Sequence, residues 1–325
     1  MNGAGIGART CHNGTICPMR TTTDLPPGVY WPKDRSVRSD DGAQIAYTFL
    51  GPEDGPVVAL CSGFLCPDTW WFHLAPALAD AGYRVLLFHY RGIATSTLPT
   101  VAGPEAFTVD RFAADLRAIV DAEDLSDIVI VGHSMGVQVM LEAYRLLRRR
   151  TAGVVALTGP YASPIHTLYG RREMVYLYEA VRLALRLSYP PLLRFAWRTG
   201  WTHLPFLALG RAFRAFGPRT SDEIVDSYVR HAAQMEPELV VRIAEGMHAH
   251  TAMDLLPDVG VPALVVVGGK DPFSPPQLGH EMVEQMPDAT LRTVPEGTHG
   301  TILEYPEMVN GFVLEFLASL DQRAA

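Results

Sequence analysis

The stretch Ile128-Val129-Ile130-Val131-Gly132-His133-Ser134-Met135-Gly136-Val137 decides how the rest of this sequence is read. Its first half is an unbroken run of β-branched residues, the pattern of a strand covered on both faces in a parallel sheet. Behind it Met135–Arg149 has helical spacing, so the strand Ile128–Gly132 passes almost directly into a helix. The junction reads G-x-S-x-G. Glycines flank the serine because side chains there would collide with neighbouring elements, and the strained turn presents the Ser134 hydroxyl at the carboxyl edge of the sheet. The helix N-terminus that follows favours negative charge developing beside it. Ser134 is therefore a candidate nucleophile.

Working outward, apolar runs and helical stretches alternate in both directions. Upstream are the strands Val57–Cys61 and Arg84–His89, with helical spacing over Trp70–Ala81 and Val109–Ala122. Before them, Val37 and Gln44–Phe49 flank Ser39-Asp40-Asp41-Gly42, an antiparallel hairpin with an Asp-Gly turn. Downstream comes the strand Val154–Thr158. The alternation stops at Pro160 and resumes with Ala263–Val267, Leu291–Val294 and a closing helix around Met308–Leu320. This predicts an α/β fold, a mostly parallel sheet with helices on both faces. Residues 160–257 have helical periodicity and no strand candidates, so they are expected to form an inserted helical cap on a core of 35–159 and 258–325. Residues 1–34 are expected to be a poorly ordered tail, with Met19 an alternative start to Met1.

Composition closes off several classes. The 325 residues are 48% hydrophobic and 19% charged, which excludes intrinsic disorder. No run approaches the roughly 18 apolar residues of a membrane-spanning helix. A net charge of −8 argues against general affinity for nucleic acid. Cys11 with Cys17 and Cys61 with Cys66 lack the density of a disulfide framework and the spacing of a zinc site, so they read as reduced, unligated thiols. The first residues lack the apolar stretch of a signal peptide, and a cytoplasmic protein is expected. Nothing calls for a cofactor or a metal, and oligomeric state is not legible.

A serine hydroxyl needs a base, and the base needs an orienting acid. The strand Ala263–Val267 ends in Gly268-Gly269-Lys270-Asp271-Pro272, which places Asp271 just beyond a strand's carboxyl end. After the next strand comes Gly297-Thr298-His299-Gly300. Both positions lie on the sheet edge that displays Ser134, in the order serine, acid, histidine that such sites require. Asp254 and Asp258 precede the strand and suit turn or helix-end roles. The turn after Val154–Thr158, Gly159-Pro160-Tyr161, offers no carboxylate. Two backbone N–H groups should hold the oxyanion: Met135, after the nucleophile, and Phe64, in the turn Ser62-Gly63-Phe64-Leu65, with Leu65 the near alternative.

Gly132-His133-Ser134-Met135-Gly136, the Ser62-Gly63-Phe64 turn followed by Trp70-Trp71, Gly268-Gly269-Lys270-Asp271 and His299 together resemble the α/β-hydrolase superfamily, over about residues 36–320 with the cap included. Two departures are visible. Many members carry His-Gly where this chain has Ser62-Gly63, and Asp-x-Arg-Gly-x-Gly-x-Ser where it has His89-Tyr90-Arg91-Gly92-Ile93-Ala94-Thr95-Ser96. Arg91 and Ser96 match that pattern; His89 and Ala94 do not. The resemblance implies a serine hydrolase of the carboxylesterase or lipase-like kind, cleaving esters of hydrophobic acyl groups. Cofactor-free perhydrolysis, carbon–carbon bond hydrolysis and acyl transfer use the same triad and stand as alternatives. A non-catalytic receptor ranks last, because all three triad residues are present.

Other residues read as structural. His248 and His250, two apart on a helix, point different ways and do not suggest a metal pair. His133 is a packing neighbour of the nucleophile, His73 packs or caps a helix, and Arg148-Arg149-Arg150 suit a helix C-terminus. Residues 161–220 hold nine arginines and two acids, interleaved with many aromatic and leucine residues. The apolar residues are expected to line a long chamber above Ser134. The arginines, among them Arg182, Arg186, Arg194 and Arg198, either solvate the cap or form a peripheral contact with anionic lipid.

Overall fold

The computed structural model describes residues 31–166, 173–187, 190–200, 210–212 and 215–324. Eight strands form one sheet: β1 (Arg35–Arg38), β2 (Gln44–Leu50), β3 (Val57–Cys61), β4 (Arg84–Phe88), β5 (Ile128–His133), β6 (Thr151–Leu157), β7 (Ala263–Gly268) and β8 (Ala289–Val294). Their spatial order is β1-β2-β4-β3-β5-β6-β7-β8. The β1–β2 and β2–β4 pairs are antiparallel and all others parallel, so the expected α/β sheet is present.

The double coverage follows from the two-residue period of the strands. In β5, Ile128 and Ile130 pack with α2 (Val109–Ala122) and α3 (Met135–Leu147) on one face. Val129 and Val131 pack on the other face with α1 (Leu74–Asp80) and the closing helix Pro306–Ala324. Every residue of β5 is buried. A strand at the centre of such a sandwich has no freedom to move, and that fixes the turn at its end.

Two local readings need correction. The helix expected over Trp70–Ala81 is a 3₁₀ turn, Asp68–Trp71, followed by α1. Trp70, Trp71 and Phe72 are all buried, and three successive side chains cannot share one face of an α-helix. A helix not expected from the sequence, Pro276–Gln285, packs Leu278 and Met282 against β7 and β8. The last residues of the expected tail are also fixed. The Trp31 N–H donates to Asp68 Oδ2 (3.1 Å), and the wholly buried Lys33 ammonium pairs with the same carboxylate. Residues 1–30, with Cys11, Cys17 and Met19, lie outside the described residues.

Between β6 and β7 the chain runs through α4 (Met174–Leu187), α5 (Pro190–Gly200), α6 (Asp222–Gln234) and α7 (Pro237–Ala249). It leaves and rejoins the sheet at a narrow neck, where Ala162 bridges Thr251 and the Ala252 N–H donates to the Tyr161 carbonyl. Arg182 pairs with Glu179 and Glu245, Arg194 with Glu236 and Glu238, and Arg211 with Asp222. The side chains of Arg171, Arg172, Arg186, Arg198 and Arg214 lie outside the described residues.

The loop after β4 gives its departures from the family pattern a physical reading. Arg91 is fully buried between Asp115 (2.5 Å) and Asp41 of the hairpin turn (2.5 Å). Its neighbour Ala94 has φ +48°. An L-residue with a Cβ is strained there by about 1–2 kcal/mol, whereas glycine is not. Ala94→Gly is therefore expected to raise unfolding stability by about 1 kcal/mol, measured as a higher urea midpoint at unchanged m-value. A lower midpoint would show that the loop does not hold this strain.

Candidate active site

Ser134 joins β5 to α3 with φ 54° and ψ −124°, outside the regions most L-residues occupy. Three glycines make this conformation possible. A Cβ on Gly136 would overlap the Cys61 carbonyl oxygen, one on Gly132 the Gly136 carbonyl, and one on Gly159 the Val137 side chain and the Ser134 carbonyl. The helix thus enters against bare backbone, and the Ser134 hydroxyl is pushed up at the sheet edge.

The three residues singled out from the sequence meet there. His299 Nε2 lies 2.9 Å from Ser134 Oγ, and His299 Nδ1 lies 3.0 Å from Asp271 Oδ2. Asp271 is buried at the end of β7. Its other oxygen, Oδ1, accepts the N–H groups of Phe273 (2.8 Å) and Ser274 (3.0 Å). With a carboxylate at Nδ1, the imidazole proton sits on that side, and Nε2 is left to accept the serine proton.

The loop carrying His299 is fastened from three sides, by contacts the sequence does not announce. Thr158, at the end of β6 with φ +39°, donates its hydroxyl to the His299 carbonyl (3.3 Å). Buried Glu304 accepts the Thr298 N–H (3.0 Å), the Thr298 hydroxyl, and the N–H of Gly217 from the inserted segment (2.6 Å). The Thr301 hydroxyl donates to the Thr298 carbonyl. Only tertiary placement identifies Thr158 and Glu304, since neither stands in a motif.

Phe64 and Met135 both line the cavity at Ser134. Met135 is the first residue of α3, where backbone N–H groups have no partner within the helix. The Phe64 turn is closed by a Cys66 N–H to Gly63 carbonyl bond (3.2 Å), with Leu65 buried at φ +56°. A Cβ at Gly63 would stand 3.0 Å from Ser134 Cβ, so glycine is what lets the turn approach the serine. Trp71 Nε1 donates to Ser62 Oγ (2.9 Å), which gives this serine a structural role beside the turn.

The cavity has a volume of about 160 Å³, with Trp70, Phe216, Tyr228, Met247 and Phe273 forming apolar walls. It is smaller than the long chamber expected from the sequence; among the described residues, Phe216, Trp70 and Tyr228 pack ring to ring along it at 5.4–5.7 Å.

Residues set aside on sequence grounds lie elsewhere. Asp254 and Asp258 pair with Arg145 and Arg148 at the surface. His248 stands against the Tyr178 ring, while His250 Nε2 lies 2.9 Å from Glu142. His133 is buried beneath the site, its Nε2 facing the Trp70 indole N–H (3.2 Å). Burial, together with the neighbouring His299, holds its pKa well below the usual histidine value, so it is neutral and unsuited to act as a second base. Cys61 and Cys66 carry free thiols that burial pushes up from their ordinary range.

A mostly parallel sheet that displays a serine on a strand–helix turn, faced by histidine and aspartate from two later loops, is the architecture of an α/β hydrolase. The chain belongs to the alpha/beta hydrolase fold family, whose model matches residues 56–306. Among similar proteins is one of Mycobacterium tuberculosis named as a non-heme bromoperoxidase, BpoC. It is 25% identical over 285 residues, which is 85% of this chain and 98% of that protein. Epoxide hydrolase A of the same organism is 37% identical over 129 residues, 40% of this chain and 39% of that one. The structure of a thermophilic esterase from Thermogutta terrifontis shares the fold, with TM-score 0.67 and 24% identity over 88% of this chain and 98% of that one.

The arrangement makes the role of Asp271 measurable. Asp271→Asn should lower kcat by several powers of ten, on the order of the ~10⁴ found for such a change in a serine protease, because the imidazole then favours the wrong tautomer. Asp254→Asn should leave kcat within a factor of two. The reverse pattern would move the acid to Asp254.

Proposed function

We propose that this protein is a serine hydrolase that cleaves carboxylic esters of hydrophobic acyl groups. The observation that carries the reading is the hydrogen-bonded row Asp271–His299–Ser134 facing a largely apolar cavity. Ser134 Oγ attacks the ester carbonyl as its proton passes to His299 Nε2. The Phe64 and Met135 N–H groups take the oxyanion, and Asp271 stabilises the imidazolium. The imidazolium then gives its proton to the departing alcohol, and water repeats the sequence on the acyl-enzyme. No step needs a cofactor.

A cavity of about 160 Å³ lies below the roughly 300–1,000 Å³ of common small-molecule sites. This favours acyl chains of short to medium length over long ones. A second reading, cofactor-free perhydrolysis, is favoured by the likeness to the bromoperoxidase-named relative along nearly its whole length. There, hydrogen peroxide would replace water in attacking the acyl-enzyme.

In a series of p-nitrophenyl esters, kcat/KM should rise with chain length by up to about 0.8 kcal/mol per methylene, then level off within a few carbons once the cavity is full. Ser134→Ala should abolish turnover and labelling by a fluorophosphonate while leaving the circular dichroism spectrum unchanged. Full labelling of the alanine variant, or a steep preference for acetyl esters, would overturn the assignment. Peroxide added to the same assay separates the two chemistries by whether peracid accumulates at the expense of free acid.

A further inference from the structure

The cavity at Ser134 has a neighbour. A second cavity, of about 370 Å³, is bounded by Arg211, Arg219, Lys270, Glu296, Glu304 and Tyr305 together with Phe216, Gly217, Pro218 and Thr298. Phe216 lines both cavities. On either side of it, Ala215 faces the first and Gly217 the second; likewise His299 faces the first and Thr298 the second. Consecutive Cα atoms are about 3.8 Å apart, so the two spaces, both open to solvent, adjoin across a rim one residue thick.

The second space is chemically unlike the first. Arg219 lies 4.8 Å over the Tyr305 ring, and among the described residues no carboxylate pairs with it. The two acids on the wall are already engaged. Glu304 accepts from the Gly217 and Thr298 N–H groups and from the Thr298 hydroxyl, and Glu296 pairs with Lys270. Arg211 is tied to Asp222 at 2.7 Å. Among the described residues, Arg219 is thus an exposed guanidinium without a carboxylate partner, backed by an aromatic face, on a cavity that opens to solvent beside a small apolar one.

We propose that this second cavity is the alcohol-side subsite, and that the substrates are esters whose alcohol portion carries a carboxylate or comparable organic anion. The inference rests on the esterase reading for its orientation. His299 returns its proton to the departing oxygen, so the alcohol must extend on the His299 side of the first cavity, and there the Phe216–Thr298 rim leads over to the basic cavity. Arg219 binds the anion through charge-assisted, bidentate hydrogen bonds, while the Phe216 side chain, common to both cavities, lies along the linking carbons.

The test compares 6-butanoyloxyhexanoate with its uncharged amide, 6-butanoyloxyhexanamide, which share one scissile ester and one acyl group. For the intact protein, kcat/KM should favour the carboxylate by roughly tenfold or more, the worth of one charge-assisted hydrogen bond. The ratio should fall toward one in Arg219→Gln, recover in part in Arg219→Lys, and remain at the intact protein's value in Arg117→Gln on the far helix α2. A ratio of one in the intact protein, or an undiminished ratio in Arg219→Gln, would overturn the proposal. Calorimetry on Ser134→Ala with 6-hydroxyhexanoate and hexane-1,6-diol gives a readout free of turnover. Preference for the hydroxy acid that vanishes with Arg219→Gln supports the subsite even if no ester is cleaved, whereas equal binding overturns it even if esters are.

Discussion

The backbone of Ser134 is the constraint to which the rest of the carboxyl edge conforms. Its left-handed φ costs on the order of 1–3 kcal/mol, and the turn relaxes unless both of its ends are clamped. β5 supplies one clamp, fully buried between β3 and β6 with helices on both faces. α3 supplies the other, its first turn lying against the Cys61 carbonyl where only Gly136 fits. The remaining site parts are placed by reference to this serine. The Gly63 turn approaches its Cβ, Gly159 passes its carbonyl, and the His299 ring stands over its hydroxyl. Strain at one residue is thus held by a core of strands that has no chemistry of its own.

The histidine needs a different kind of support, because it sits on a loop rather than at the end of a clamped strand. Glu304 provides much of it. A buried carboxylate that accepts three donors is well compensated, and two of its donors come from Thr298 while the third comes from Gly217. One side chain therefore holds the loop next to His299 and the segment that walls the cavity. The inserted segment and the His299 loop are joined at a single acid, so a displacement of the Gly217 segment is felt one residue from His299.

How much was legible in the sequence follows from how local each signal is. β5 and its serine are readable because an apolar run, two glycines and a helical pattern lie within a dozen residues. Asp271 and His299 are readable because the chemistry requires an acid and a base after later strands, and each follows one. The helix Pro276–Gln285 left only Pro276 at its start and Leu278 and Met282 four apart, too short a pattern to stand out. The break after Trp71 was hidden because helical spacing describes one face, whereas Trp70 turns to His133 and Trp71 to Ser62. Glu304 and Thr158 were beyond reach, since their partners are distant in the chain. The small size of the first cavity was equally hidden: counting apolar residues cannot say that Phe216, Trp70 and Tyr228 pack ring to ring along it.

Asp68 draws a boundary that no strand marks. Burial pushes its carboxyl upward, but His89 and Lys33 outweigh that and hold it below the ordinary range. Lys33 and the Trp31 N–H come from upstream of the first strand, and the Trp31 ring packs edge-on to Phe72 at 5.5 Å. Cut away, they would leave a nearly dry carboxylate to His89 alone, at the start of the turn that carries Trp70, a loss of up to about 3–5 kcal/mol. A protease nick between Lys33 and β1 would therefore loosen the turn that carries Trp70, a residue of the cavity wall, although it severs nothing within the sheet.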